Sequence, residues 1–268
     1  MAQKIRQWLL ALILCGLLVS CGTTEATPLP VNPIISTLPS PTAVSEWETL
    51  APGLERRSYI PAENPLGQLI ALRIDPAYYQ FRVHYRPGAP LTARQWVDAL
   101  PGAVAFVNAN FFDPQHEILG LLVADGVVYG STYPGYGGMF AVQNGIPRVR
   151  YNVTEPYWGE TLEQAAQAYP MLLVDGAPMY NDANDRQVAR RTVVAQDAQG
   201  RIVLLVTPLI GLTLTDLSAY LATLDLGLGN ALNLDGGAST MLYVAAGARS
   251  YLLPSFDPVP AILAIYAR

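Results

Sequence analysis

The stretch that decides the reading of this chain is ALNLDGGASTML, residues 231–242. An apolar run with strand character ends at Asp235, two glycines and two hydroxyl residues follow, and the chain then turns apolar again. Asp-Gly after a strand commonly makes a hairpin turn, because both residues tolerate positive φ. The second glycine and the Ser239-Thr240 pair go beyond what such a turn needs. Consecutive glycines let the N–H groups of Gly236 and Gly237 point into one concavity, a nest for an anion or a developing negative charge. The Asp235 carboxylate would repel a bound phosphate. It is better suited to gripping sugar hydroxyls, acting as a base or facing a developing cation. Turn or site wall then depends on what the rest of the chain brings to it.

Two other apolar runs end the same way, LLVADG at Asp125 and LLVDG at Asp175. Asp125 reads as a hairpin, since Val127-Val128-Tyr129 resumes at once. Asp175 fits a turn or a site equally. FVNANFFD, residues 106–113, delivers Asn108 and Asn110 to one face if the strand continues that far. With Phe112 and Asp113 close behind, these amides beside aromatic rings suit a sugar; the competing reading makes the phenylalanines core and the asparagines turn caps. In ARRTVV, Arg190 and Arg191 precede an apolar strand that opens at Thr192. An arginine projecting into a cleft would suit phosphate, because its planar fork donates two hydrogen bonds at once. A solvated strand end is the alternative.

Strand signals dominate the surroundings: Gln68–Ile74, Gln80–Tyr85, Ala103–Asn108, Ile118–Val123, Met139–Gln143, Met171–Val174, Thr192–Gln196, Ile202–Thr207, Ala231–Leu234, Met241–Val244 and Ala261–Tyr266. Three helices are expected behind threonine caps. They start at Thr92 (with Gln95 three residues on), at Thr161 (with Gln164) and at Thr213 (with Asp216). Few helices among many strands, without regular alternation, predicts an α+β fold. The expectation is a strand-rich single domain with mixed sheets and about three helices, several strands being apolar enough to be covered on both faces.

Composition narrows the chemistry. At 51% hydrophobic and 14% charged, the 268 residues can bury a sizeable core. A net charge of −5 argues against nucleic acid as a partner. Lys4, Cys15 and Cys21 are the only residues of their types, and all lie in a segment that reads as an export signal: Lys4 and Arg6, then an apolar core from Trp8 to Val19. Leu18-Val19-Ser20-Cys21 resembles the bacterial lipobox, which makes Cys21 the lipidation site; an uncleaved anchor is the alternative. Residues 1–20 are then a lipoprotein signal peptide, 21–45 a Thr/Pro/Ser-rich tether and 46–268 the folded domain. The domain is expected outside the cytoplasm, lipid-anchored at the outer face of the bacterial cell membrane or periplasmic or extracellular. Cleavage before Cys21 leaves no lysine and no free thiol, which excludes Schiff-base, P-loop, cysteine-nucleophile and structural Cys-zinc chemistry, and with only His84 and His116 the chain argues against a multi-histidine metal centre. No cofactor is required on this reading.

In this order, the Asn-x-x-Phe-Phe motif at Asn108, the Gly120–Gly126 stretch, LLVDG at Asp175, Arg191-Thr192, the GLTLTDLSAYL helix and LNLDGGAST resemble the phosphodiester glycosidase family. The resemblance covers roughly residues 100–268. It departs from the family at Ala109, where glycine is frequent, and at Thr207-Pro208, where Asp-Gly is common. It implies hydrolysis of a sugar C1–O–P linkage in a glycosyl-phosphate or glycan substrate. Arg191 and the Gly236–Gly237 amides would take the phosphate. Asp235 or Asp175 would serve the sugar or activate water, and Asn108, Asn110, Phe112, Asp113, Thr192, Ser239 and Thr240 would complete the binding surface. Two alternatives remain at this level. One is a carbohydrate-binding envelope lipoprotein without turnover. The other is a phosphodiesterase with Ca²⁺ or Mg²⁺ on Asp113, Asp175 and Asp235.

Overall fold

The computed structural model describes residues 42–43, 46–209, 211–247 and 249–268. The signal peptide, Cys21 and nearly all of the tether lie outside them. Thr37–Arg268 form one compact unit.

Three antiparallel sheets build it. The first has nine strands: β1 (Thr42–Ala43), β2 (Glu48–Ala51), β3 (Leu54–Ile60), β4 (Leu69–Ile74), β12 (Met171–Val174), β13 (Ala177–Pro178), β14 (Thr192–Asp197), β15 (Ile202–Val206) and β16 (Leu228–Asn233). They run in the order β1-β3-β4-β15-β14-β16-β12-β13, with β2 also paired to β3. The second sheet orders β10 (Ile146–Tyr151), β9 (Gly138–Gln143), β11 (Gln164–Ala168), β7 (Leu121–Ala124) and β8 (Val127–Gly130). The third orders β18 (Arg249–Leu253), β17 (Leu242–Ala246), β6 (Ala105–Asn108), β19 (Ala261–Ala267) and β5 (Tyr79–Tyr85).

The inner faces of all three sheets share one core, with Leu72 and Val194 from the first, Phe140 and Leu122 from the second, and Val107 and Leu263 from the third. Helix α2 (Leu214–Thr223) covers the outer face of the first sheet through Leu217 and Leu221, against Val193 and Leu205. Helix α1 (Ala93–Ala99) covers the third through Ala93 and Trp96, against Phe106 and Ile262. The fold is α+β and mostly β. No helix among the described residues is long and apolar enough to cross a membrane.

Two features differ from the sequence reading. Every pairing among the described residues is antiparallel, so the sheets are not mixed. Strands apolar on both faces arise here because a helix covers the outer side, not from parallel crossovers. The helix expected after Thr161 is strand β11, whose five residues are all buried between β9 and β7. Leu162, Ala165, Ala166 and Tyr169 matched helical spacing, yet pairing on both edges and burial on both faces override that local pattern.

The two glutamines of β11 explain how polar residues survive there. Gln164 accepts from Val83 N at 2.9 Å and donates to Asp125 Oδ1 at 2.7 Å, bridging the second and third sheets. Gln167 accepts from Leu121 N at 3.0 Å and Tyr133 N at 3.3 Å and donates to Tyr133 O at 3.1 Å. Gln164→Leu keeps the volume but strands the Val83 amide in the core. It is expected to cost about 1–3 kcal/mol in urea unfolding, the penalty of one buried unsatisfied donor.

Candidate active site

The third apolar Asp-Gly end differs from the other two in backbone geometry. Asp125 and Gly126 both have positive φ, 48° and 79°, as do Asp175 and Gly176, at 50° and 78°. Ala124 pairs with Val127 and Val174 with Ala177, so both are two-residue hairpins of the kind that Asp-Gly favours. After Asp235 the chain instead enters a 3-10 turn, Gly237–Ser239, before β17.

That turn is held from several directions. Asn108, at the end of β6, donates to Asp235 O at 2.6 Å and accepts from Thr192 Oγ1 at 2.7 Å and Met241 N at 3.2 Å. Asp235 N donates to Ala109 O at 3.0 Å and Gly237 N to Arg190 O at 2.7 Å. Thr240 Oγ1 lies 3.3 Å from Thr192 Oγ1. Gly236 is required by close approach, because a Cβ there would stand 2.8 Å from Arg190 O. Gly237 is required by its φ of 62°.

The side chains on this frame follow from strand alternation. On β16, Leu232 and Leu234 enter the central core while Ala231 faces α2, so Asn233 and Asp235 share the α2 side. On β14, Val193 faces α2, which puts Arg191 on that side too. Val193 pairs with Asn233, and Leu234 N donates to Thr192 O at 2.8 Å. Arg191 and Asp235 each lie one residue beyond this pairing, past the ends of β14 and β16.

Arg191 Nε donates to Leu212 O at 3.1 Å and Nη2 to Gln187 O, and among the described residues Nη1 has no hydrogen-bond partner. The carboxylate that acts on Arg191 is Asp185, and Arg191 and Asp235 form no ion pair. Its backbone is clamped by Thr207, whose Oγ1 accepts from Arg191 N at 2.6 Å. Burial pushes the Asp235 carboxyl up to about 6, the Ser239 hydroxyl and the Gly236 amide offsetting only part of this. An aspartate whose carboxyl is raised toward neutrality can exchange a proton near neutral pH.

The predicted site residues sort into three groups. Asp235, Arg191, Gly236, Gly237, Ser239, Thr240, Thr192 and Asn108 come together. Asn108, Thr192 and Thr240 are spent on backbone and on one another, so they position the turn. Asn110 lies next to it: its Nδ2 donates to Leu121 O and Gln167 O, both at 3.0 Å, and its buried Oδ1 has no partner. The remaining three stand apart. Asp175 sits beside Asn230 at the start of β16, five residues and roughly 16 Å of strand from Asp235. Asp113 turns its Oδ1 onto Gln115 N and Glu117 N of its own loop, and Phe112 stacks on His116 at 5.6 Å. The three aspartates grouped as a metal set therefore do not converge.

The Gly236–Gly237 nest also departs from expectation, because Gly236 N donates to Asp235 Oδ1 at 2.8 Å and Gly237 N to Arg190 O. Arg190 points elsewhere: its Nη2 holds Thr240 O at 2.6 Å and Pro254 O at 3.0 Å, and Phe256 covers its guanidinium at 4.7 Å. The tyrosines that border the site, Tyr133, Tyr136, Tyr169 and Tyr180, were not singled out in the sequence. The repeated Tyr and Gly of STYPGYGG, residues 131–138, were the available signal. A separate concavity of about 470 Å³ shares none of the grouped residues, and its Arg82 and Asp125 pair with each other at 2.6 Å.

A sequence model of the family described as phosphodiester glycosidase matches residues 101–266. Comparison with curated protein sequences finds no match. Among solved structures, the catalytic domain of zebrafish N-acetylglucosamine-1-phosphodiester alpha-N-acetylglucosaminidase, auto-inhibited by its pro-peptide, superposes with a TM-score of 0.62 at 17% identity. That match covers 85% of this chain and 88% of the other. A hypothetical protein from Synechocystis gives 0.53 at 16% identity, over 80% and 62% of the two chains. A putative exported protein from Burkholderia pseudomallei gives 0.53 at 12%, over 80% and 74%. The fold is common to all of them.

The raised Asp235 carboxyl has a consequence for stability. Below about pH 4 it is protonated in the folded and unfolded chain alike; above that the unfolded chain ionises first, and the folded form loses stability until pH passes about 6. Asp235→Asn is therefore expected to match the wild type near pH 4 and to be more stable by roughly 2–3 kcal/mol at pH 7.5. Urea titrations at the two pH values measure this. A variant less stable at pH 7.5 would contradict the assignment.

Proposed function

The chain belongs to the phosphodiester glycosidase family, and from that premise we propose that it hydrolyses sugar phosphodiesters at the C1–O bond, using Asp235 and Arg191. The observation that carries the reading is the buried Asp235 carboxyl, pushed up to about 6 on a fixed turn beside the strand end that carries Arg191. The linkage already has a good leaving group, since phosphate tolerates the negative charge. The site then needs an anion-stabilising group on the phosphate and a carboxylate on the sugar side more than a strong general acid.

In the proposed step, water oxygen bonds to C1 while the C1–O bond breaks. The bonding pair leaves with the phosphomonoester, and the proton from water passes to Asp235. Arg191 Nη1 donates to a phosphate oxygen. Its other two donors are already fixed to carbonyls, so it is held in place before substrate arrives. Thr207 supports the same arginine from behind, so the departure from Asp-Gly at Thr207-Pro208 leaves the Arg191 backbone anchored. Export and lipid attachment through Cys21 belong to this proposal, with an envelope or extracellular glycan phosphodiester as substrate.

Incubation with an α-glycosyl phosphodiester in ¹⁸O-water, with and without chelator, tests the bond. Label in the free sugar supports C–O cleavage; label in the phosphate would mean a phosphodiesterase. The kcat/KM profile is expected to rise with pH through an apparent pKa near 6, because Asp235 accepts the proton only when ionised. Asp235→Asn should lower kcat by about 10²–10⁴-fold. Arg191→Lys, which cannot hold two carbonyls and a phosphate at once, should lower kcat/KM by about 10–100-fold.

A further inference from the structure

Four tyrosines form a continuous wall beside the Asp235 turn. The rings of Tyr133 and Tyr136 stack at 5.0 Å with 9° between their planes. Tyr136 meets Tyr169 edge-on at 5.5 Å and 83°, and Tyr169 meets Tyr180 at 6.4 Å and 83°. The wall is fastened to the site along its length. Asn233, two residues before Asp235 on the same side of β16, donates to Tyr169 O at 3.0 Å. Gln167, which takes Asn110, clamps the backbone of Tyr133 at N and O. Tyr180 lies within electrostatic reach of Arg191. Gly120 makes room for Tyr133, since a Cβ there would stand 2.6 Å from its ring.

The exposure of this wall is not explained by packing. Tyr136 is 47% exposed and Tyr169 45%, and their perpendicular planes form an open corner. Buried carboxamides brace the corner from below: Asn233 donates to Tyr169 O, and Asn152 N donates to Gly137 O beside Tyr136. A flat ring with an apolar C–H face and peripheral hydroxyls suits two exposed phenol rings set at right angles. An acyl or polyprenyl chain would leave the phenol hydroxyls without partners.

We propose that Tyr136 and Tyr169 form a pyranose-binding corner that holds the sugar of the phosphodiester against Asp235. This rests on the reading of Asp235 as the reacting carboxylate but is separable from it, since sugar binding needs no turnover. The backbone of Tyr169 is anchored by Asn233, two residues before Asp235 and about 7 Å from it along the strand, which sets the corner on the Asp235 side of the fold.

Saturation-transfer NMR with methyl α-N-acetylglucosaminide and methyl α-glucoside, on wild type and on Asp235→Asn, tests the corner. Transfer to the ring C–H protons is expected in both proteins. Tyr136→Ala and Tyr169→Ala should weaken it by about tenfold each, and Tyr136→Phe and Tyr169→Phe should retain most of it. Thermal melts of the phenylalanine pair establish that the fold persists. Alanine variants that bind like wild type, or no transfer from the wild type to either glycoside, would overturn the proposal. Glycoside binding at the corner together with no ¹⁸O incorporation would leave the corner standing and remove the catalytic reading.

Discussion

The arrangement of the site depends on one buried carboxamide. Asn108 is 1% exposed, and it joins three pieces of chain: β6, the start of β14 and the turn after β16. With the Asp235 N–Ala109 O and Arg190–Thr240 O bonds, it ties the first and third sheets together at the end where the candidate site lies. A fully satisfied polar network in a low-dielectric interior is rigid, and alternatives to it leave orphaned groups. Asp235 thereby has its backbone fixed at both N–H and carbonyl, while its carboxylate accepts from Gly236 N and the Ser239 hydroxyl. Asn108, Thr192 and Thr240, which look like ligand groups in the sequence, are spent on holding this turn.

The same rigidity bears on the electrostatics of the turn. Leu212 O and Gln187 O hold two of the three nitrogens of Arg191, and Asp185 is the carboxylate that acts on it. The Asp235 carboxyl, with burial as its largest influence, moves up to about 6. Keeping a carboxyl buried there costs local stability at neutral pH. Local instability of this kind is typical of sites built to act on a ligand.

Much of the fold was legible because its signals are local. Thr92 with Gln95 forms the capping box its spacing implied, Thr213 caps α2, and Asp125-Gly126 makes the hairpin expected of it. What failed depended on distant partners. TLEQAAQAY has helical spacing in isolation, and only the flanking β9 and β7 turn Gln164 and Gln167 into buried bridges. Asp175 and Asp235 end similar motifs, and nothing local reveals that they sit at opposite ends of one strand. The tyrosine wall draws on residues 133, 136, 169 and 180, whose proximity is a property of the assembled sheets.

The two glycines after Asp235 show why a motif can be located correctly and still be assigned the wrong physical role. Their amides point to Asp235 itself and to Arg190 O, so they are not free donors for an anion. Gly236 is small because the Arg190 backbone passes within reach of any Cβ, and Gly237 is there for its left-handed φ. Both demands come from the close approach of the Arg190 backbone to the turn after β16, since Gly236 faces Arg190 O and Gly237 N donates to it. The turn therefore consumes its own amides in holding its shape, and a nest of free donors is not part of it.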